Sequence, residues 1–293
     1  MHFVKAKGIL SSGVGMNLYR GCQHGCVYCD ARSRCYQMNH IFEDIEIKEN
    51  AMELLEAALK SKRRPCMLGT GTMSDPYMPV EKNLQMTRQM LELAEKYGFG
   101  ATMLTKSDLV LRDLDILQRI NEKTKAVVQV SLTVMDDRLS KILEPNVCPT
   151  SRRIEVLREL QKAGIPTVVW ICPILPFLTD TEENVLGILH ACRDAGVKGI
   201  IQYGMGLTLR DGNREYFYAA LDKHFPGLKD RYIRTYGNAY ELPSPKNDQL
   251  MGLFHGFCEY YGIWHNNDQI FSYLRELETN EGVQLSFFGE AAG

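Results

Sequence analysis

The sequence predicts an α/β fold: a partial (β/α)6 barrel of the TIM type with a C-terminal extension. Two observations predict it. Six short apolar runs alternate with longer amphipathic stretches between residues 16 and 203, as parallel strands joined by crossover helices do. The runs are apolar almost throughout, as expected of strands covered on both faces. No Gly-x-Gly-x-x-Gly turn follows the first run, which favours a barrel over a doubly wound sheet.

The candidate strands are 16–19, 66–70, 101–105, 127–133, 167–173 and 199–203. Most are short, contain β-branched residues and lie near a turn signal. Helices are expected at 51–62, 83–97, 109–121, 152–163 and 181–195, where apolar residues recur at spacings of three and four. Gly98, Gly164 and Gly196 follow three of them as C-caps. From about Phe225 the alternation stops. A Pro-rich break at 240–248 precedes an aromatic helical stretch at 249–262, and 283–288 reads as a short strand. Residues 1–224 are therefore expected to form the barrel core, and 225–293 an extension packed on it.

Composition narrows the class. The chain has 293 residues, 45% apolar and 24% charged, which suits a globular protein. No uncharged apolar run approaches the roughly 20 residues that span a bilayer, so no membrane partner is expected. Residues 1–7 open no apolar leader, and the expected compartment is the cytoplasm. Lys and Arg total 34 against 36 Asp and Glu, a net charge of −2. A sequence-blind DNA binder usually carries a basic excess. Nine Cys cannot all pair, and in this setting reduced thiols or metal ligands are expected.

The sharpest feature is Cys22-x3-Cys26-x2-Cys29, three thiols within eight residues just after the first strand. Catalytic loops of barrels lie at such strand ends. Structural zinc takes four ligands, usually as two close pairs, and no second CxxC exists. A [4Fe–4S] cluster held by three Cys, with one iron open to a ligand, suits the triplet better.

The run Asn17-Leu18-Tyr19-Arg20-Gly21-Cys22-Gln23-His24-Gly25-Cys26-Val27-Tyr28-Cys29 resembles the radical S-adenosylmethionine (SAM) superfamily, in its spore photoproduct lyase-like (DNA repair photolyase-like) branch. The resemblance continues through GTMSDPYMPVE (71–81), LTKSDLVLRDLDIL (104–117), VSLTV (130–134), LEPN (143–146), 151–167 and QLSFF (284–288). It implies the six-strand partial barrel. It also implies an enzyme in which a [4Fe–4S] cluster on Cys22, Cys26 and Cys29 binds SAM at its open iron. Reduction, by a flavodoxin or ferredoxin, would cleave SAM to methionine and a 5′-deoxyadenosyl radical that abstracts hydrogen from a substrate.

By the same resemblance Tyr28 packs on the adenine, Ser74 and Lys106 contact SAM, and Ser131 faces the ribose; Arg153 is a weaker candidate. Each has a plainer reading: Tyr28 as a cover for the cluster, the serines as strand-end hydrogen bonders, Lys106 as a solvated side chain, Arg153 as surface charge. His24, His40, His190, His224, His255 and His265 follow no metal-binding spacing and read as structural or surface residues. Cys35, Cys66, Cys148, Cys172, Cys192 and Cys258 read as small apolar residues, with Cys35 held open because it lies close to the triplet.

Two positions depart from the lyase. Thr72 stands where the lyase has its hydrogen-donor cysteine, and Asp30 where it has a relay tyrosine. The cofactor half of the mechanism is therefore expected and thymine-dimer repair is not. The substrate stays open between nucleic acid, peptide and small molecule. The alternative from another class is a non-catalytic iron–sulfur electron carrier.

Overall fold

A computed structural model describes residues 1–11 and 15–277; the strand expected at 283–288 and the QLSFF stretch lie outside them. Six parallel strands form one sheet: β1 (Gly15–Met16), β2 (Met67–Thr70), β3 (Gly100–Thr105), β4 (Ala126–Ser131), β5 (Thr167–Trp170) and β6 (Gly199–Ile201). Their spatial order equals their chain order, with no pairing of β6 to β1. The barrel is an open arc, as the sequence predicts.

Between the strands run α1 (Ala51–Ser61), α2 (Met86–Tyr97), α3 (Leu114–Lys123), α4 (Thr150–Lys162) and α5 (Glu182–Asp194). Strand residues of one parity, among them Ala101, Met103, Val128, Val130 and Val169, share a core with Leu91, Leu117, Ile120, Leu157 and Leu160 of the helices. Residues of the other parity, Met67, Val127, Val168 and Ile201, meet Ile270 and Leu274 instead. A strand alternates its side chains between faces, so the helices cover the outside of the arc and the last helix closes its inside. Each such Leu or Ile contributes about 1.5–3 kcal/mol by leaving water.

The closing elements come from the later part of the chain. They are α6 (Asn213–His224), α7 (Leu228–Tyr236), α8 (Asn247–Tyr261) and α9 (Asn267–Arg275). Helix α9 packs on β2 and β6 while α8 packs on α5. The break at 240–248 contains a strand, Glu241–Pro243, paired antiparallel with Gly206–Thr208. Among the described residues no helix is long and apolar enough to cross a membrane.

The expected strand at 16–19 is corrected. Gly15–Met16 pairs with β2, whereas Tyr19–Arg20 joins a separate sheet with Glu46–Lys48, which pairs in turn with His2–Val4. Leu18 is 1% exposed, and its carbonyl accepts the Lys48 N–H. The chain leaves the barrel there and enters the next loop from a second sheet.

Candidate functional site

At the C-terminal ends of the strands lies a cavity of about 710 Å3, within the size range of small-molecule sites. One wall is the loop after Arg20. Gly21 opens it at φ +86°, and a Cβ there would sit 2.4 Å from the Phe42 carbonyl oxygen; only glycine lets the two segments approach so closely. Cys22 N–H donates to that same carbonyl (3.1 Å), Val27 N–H to Leu143 O and Asn146 N–H to His24 O. Held this way, Cys22, Cys26 and Cys29 all line the cavity.

Burial pushes the Cys22 thiol up to about 12, helped by the Asp75 carboxylate and opposed by backbone N–H groups of Asp75 and His24 facing its sulfur. Burial also raises Cys26 and Cys29, with Lys106 opposing both. Such thiols are stable as thiolates only when a cation replaces the proton. The three sulfurs do not gather as ligands of a single zinc would, at roughly 3.8 Å from one another for Zn–S bonds of about 2.3 Å. Among the described residues, the group of three metal-binding side chains within 4.8 Å of one another is a different one, His2, His40 and Glu46. Three soft donors along a cavity wall, two buried and one partly buried, fit a polynuclear iron–sulfur cluster with an open iron.

The second wall is the 71–78 loop. Gly71 has φ +106°, and its Cβ would lie 2.0 Å from the Leu104 carbonyl oxygen, so the loop presses on the end of β3. Asp75 ties it down. Its carboxylate accepts from Thr105 Oγ1 (2.7 Å), Lys106 N–H (2.7 Å) and Tyr77 N–H (2.8 Å), and His24 Nδ1 lies 3.3 Å away. Burial opposes ionisation of Asp75, but His24 and these donors outweigh it and its pKa falls below the usual carboxylate value.

Of the five residues expected at SAM, four line the cavity: Tyr28, Ser74, Lys106 and Ser131. The Ser74 hydroxyl donates to Tyr19 O (3.1 Å), the strand-end bond of the plainer reading. Lys106 is partly buried, its ammonium 5.9 Å from the centre of the Tyr28 ring. Arg153 is placed differently. It is neither surface charge nor part of the lining; it is 1% exposed, with its guanidinium on the Glu144 carboxylate, Ser140 Oγ and Ser131 O. Tyr28 donates its hydroxyl to the same Glu144 carboxylate. Burial opposes ionisation of Glu144, yet Arg153 and Lys106 hold its pKa below the usual value.

Sequence reasoning missed Glu144, although it lies in the quoted LEPN stretch, and misread Cys172, which lines the cavity. Cys172 lies two residues past β5, and a reactive group just beyond a barrel strand was the signal available. Cys35 is exposed, and Cys66, just before β2, lies at the opposite end of the strands. Thr72 and Asp30 both line the cavity, as does Tyr36, whose hydroxyl donates to Asp30 Oδ2 (3.0 Å). The lining also carries Trp170, Tyr203, Leu207, Leu242 and Pro243 with Glu241, so the strand pair missed in the sequence completes the site.

Comparison with known proteins identifies the family and the fold. Residues 16–189 match the family model described as the radical SAM superfamily. The chain belongs to the radical SAM superfamily. An uncharacterised protein of Mycobacterium tuberculosis is 29% identical to it over 243 residues, covering 80% of this chain and 70% of that protein. A protein of Pseudomonas phage M6 named a radical SAM Nalpha-GlyT isomerase is 25% identical over 200 residues, 67% of this chain and 40% of that one. The solved structure of a spore photoproduct lyase variant with bound AdoMet superposes with a TM-score of 0.62 at 14% identity, covering 90% of this chain and 80% of that chain. The fold of this radical SAM protein is thus that of the lyase.

Proposed function

We propose that this radical SAM protein carries a [4Fe–4S] cluster on Cys22, Cys26 and Cys29, binds SAM in the adjoining cavity, and is an enzyme abstracting hydrogen from a substrate that occupies the rest of that cavity. The observation that carries the reading is the meeting of three thiols, two buried and one partly buried, with Tyr28, Lys106, Ser74 and Ser131 around one cavity at the strand ends. When bound, the cluster and SAM supply the 5′-deoxyadenosyl radical and hence the hydrogen abstraction.

The chain's own residues bind and orient. The Lys106 ammonium, the one Lys or Arg side chain among the described residues lining the cavity, suits the SAM carboxylate. Tyr28 offers a ring for the adenine, kept in place by its bond to Glu144, and Ser131 offers a hydroxyl for the ribose. Arg153 supports this wall through Glu144. Asp75 holds the 71–78 loop and the cluster loop together through His24.

In this proposal residues 1–224 bear cluster and cofactor, and the extension from 225 supplies Glu241, Leu242, Pro243 and Asn247 to the substrate side. Aromatic and apolar side chains with one carboxylate suit an uncharged flat or apolar group there more than a phosphate. We read the working compartment as the reducing cytoplasm, where a flavodoxin or ferredoxin delivers the electron. Thr72 provides no thiol at the lyase's donor position, so the substrate differs from the spore photoproduct. Anaerobic incubation of cluster-loaded, reduced protein with SAM tests the reading: 5′-deoxyadenosine is released by the enzyme and not by an electron carrier.

A further inference from the structure

A second set of metal-binding side chains lies outside the cavity. His2 and Glu46 are register partners across the parallel pair His2–Val4 and Glu46–Lys48. His40 stands beside them, its ring 4.9 Å from that of His2 and nearly perpendicular to it. One ligand atom from each of the three lies within 4.8 Å of the others.

The hydrogen bonding of the histidines defines what the cluster offers. His40 Nδ1 is 3.0 Å from the Ile41 carbonyl oxygen, which only accepts. The proton of the neutral ring is therefore on Nδ1, and Nε2 presents a lone pair. That lone pair faces Glu46 Oε1 at 2.9 Å, another acceptor. Two acceptors at this distance need a cation or an extra proton between them. Adjacent ligands of a zinc ion, with bonds of about 2.0–2.1 Å, are spaced at roughly 3 Å. His2 Nδ1 lies 3.3 Å from one oxygen of the Asp44 carboxylate, whose other oxygen meets the Met1 ammonium; a carboxylate on the Nδ1 side leaves Nε2 to an ion. The Arg20 guanidinium, 3.5 Å from Glu46 Oε1, is mainly taken up by the carbonyls of Tyr36 (2.7 Å) and Gln37 (2.9 Å).

We propose that His2, His40 and Glu46 bind a divalent transition-metal ion of the zinc type, separate from the cysteine triplet, with water completing the coordination. Two imidazoles and a carboxylate are a borderline donor set that such ions take. The ion staples the His2–Val4 strand to the segment that backs the cluster loop, because Phe42 O accepts from Cys22 N–H and Tyr19–Arg20 pairs with Glu46–Lys48. Its role is structural, and it holds whether or not the reading of the cavity is right.

The test uses residues 1–293 with no tag ahead of Met1, reconstituted with iron and sulfide so that the triplet thiols are occupied. The protein is equilibrated with zinc chloride, desalted and analysed for zinc and iron. One zinc ion per chain is expected beside the cluster iron. In His2→Ala and His40→Ala zinc affinity falls at least about tenfold while iron content stays the same. His2→Ala, at the partly exposed strand end, decides the matter if His40→Ala does not fold. Absence of bound zinc, or equal retention by wild type and His2→Ala, overturns the proposal and leaves a His40–Glu46 pair bridged by a proton.

Discussion

Arg153 and Glu144 are paired in the core, 1% and 0% exposed at their side chains, and the Glu144 carboxylate also accepts the Tyr28 hydroxyl. Removing one member of such a pair strands a charge without solvent, at a cost of about 3–5 kcal/mol. Arg153→Ala is expected to lose that much in denaturant unfolding of the apo-protein. Glu144→Gln keeps the shape and some hydrogen bonds, so it should lose less.

The pair also sets an acid limb. Glu144 is held below its ordinary value of 4.5 in the fold, so the unfolded chain binds its proton first as pH falls. Its contribution is fully present above about pH 4.5 and is lost as pH drops through the folded value. A pH series of unfolding midpoints should show a shallower acid decline in Glu144→Gln than in wild type. Equal slopes would mean that Glu144 is not ionised in the fold.

Gly71 is a point of close approach between the 71–78 loop and the end of β3. A methyl group there meets the Leu104 carbonyl oxygen at 2.0 Å, at a φ of +106°. Gly71→Ala is expected to cost about 1–3 kcal/mol from backbone strain alone, and the clash adds to it. A thermal melt reads the loss, and unchanged stability would show that the loop yields easily.

The parts of this design that were legible in the sequence are the ones that local pattern encodes. β3 and β4 are largely apolar runs, and the thiol triplet is a short motif, so both could be read directly. Two-residue strands are different: Gly15–Met16 and Tyr19–Arg20 exist only because distant partners pair with them, and no local periodicity separates them. The Gly206–Thr208 and Glu241–Pro243 pair is likewise set by a contact over some thirty residues of intervening chain. Arg153 looked like a surface charge because its partner Glu144 comes from the preceding turn, and burial of an ion pair leaves no compositional trace. Cys172 passed for a core residue because an apolar run does not say which face its last residue adopts.

Repair of the spore photoproduct is expected to fail. By its resemblance to the lyase Thr72 stands at the donor position, and it lines the cavity; an O–H bond is too strong to replace a thiol as hydrogen donor. The thiol outside the triplet that lines the cavity among the described residues is Cys172. Anaerobic incubation with photoproduct-containing oligonucleotide and SAM should yield no multiple-turnover restoration of thymidine by chromatography. Any residual repair should disappear in Cys172→Ala.

In the proposed reaction the three thiols hold a cluster that cleaves SAM in this cavity. The most direct measurement is 5′-deoxyadenosine formed from SAM by the anaerobically reconstituted, reduced protein, with bound iron measured on the same sample. Wild type should bind iron and release 5′-deoxyadenosine. Cys22→Ala, Cys26→Ala and Cys29→Ala should lose both together, while Cys35→Ala and Cys258→Ala keep both. Iron-loaded wild type that releases no 5′-deoxyadenosine under several reductants would contradict the account, as would loss of the cluster in Cys35→Ala, which would make Cys35 a fourth ligand and close the open iron.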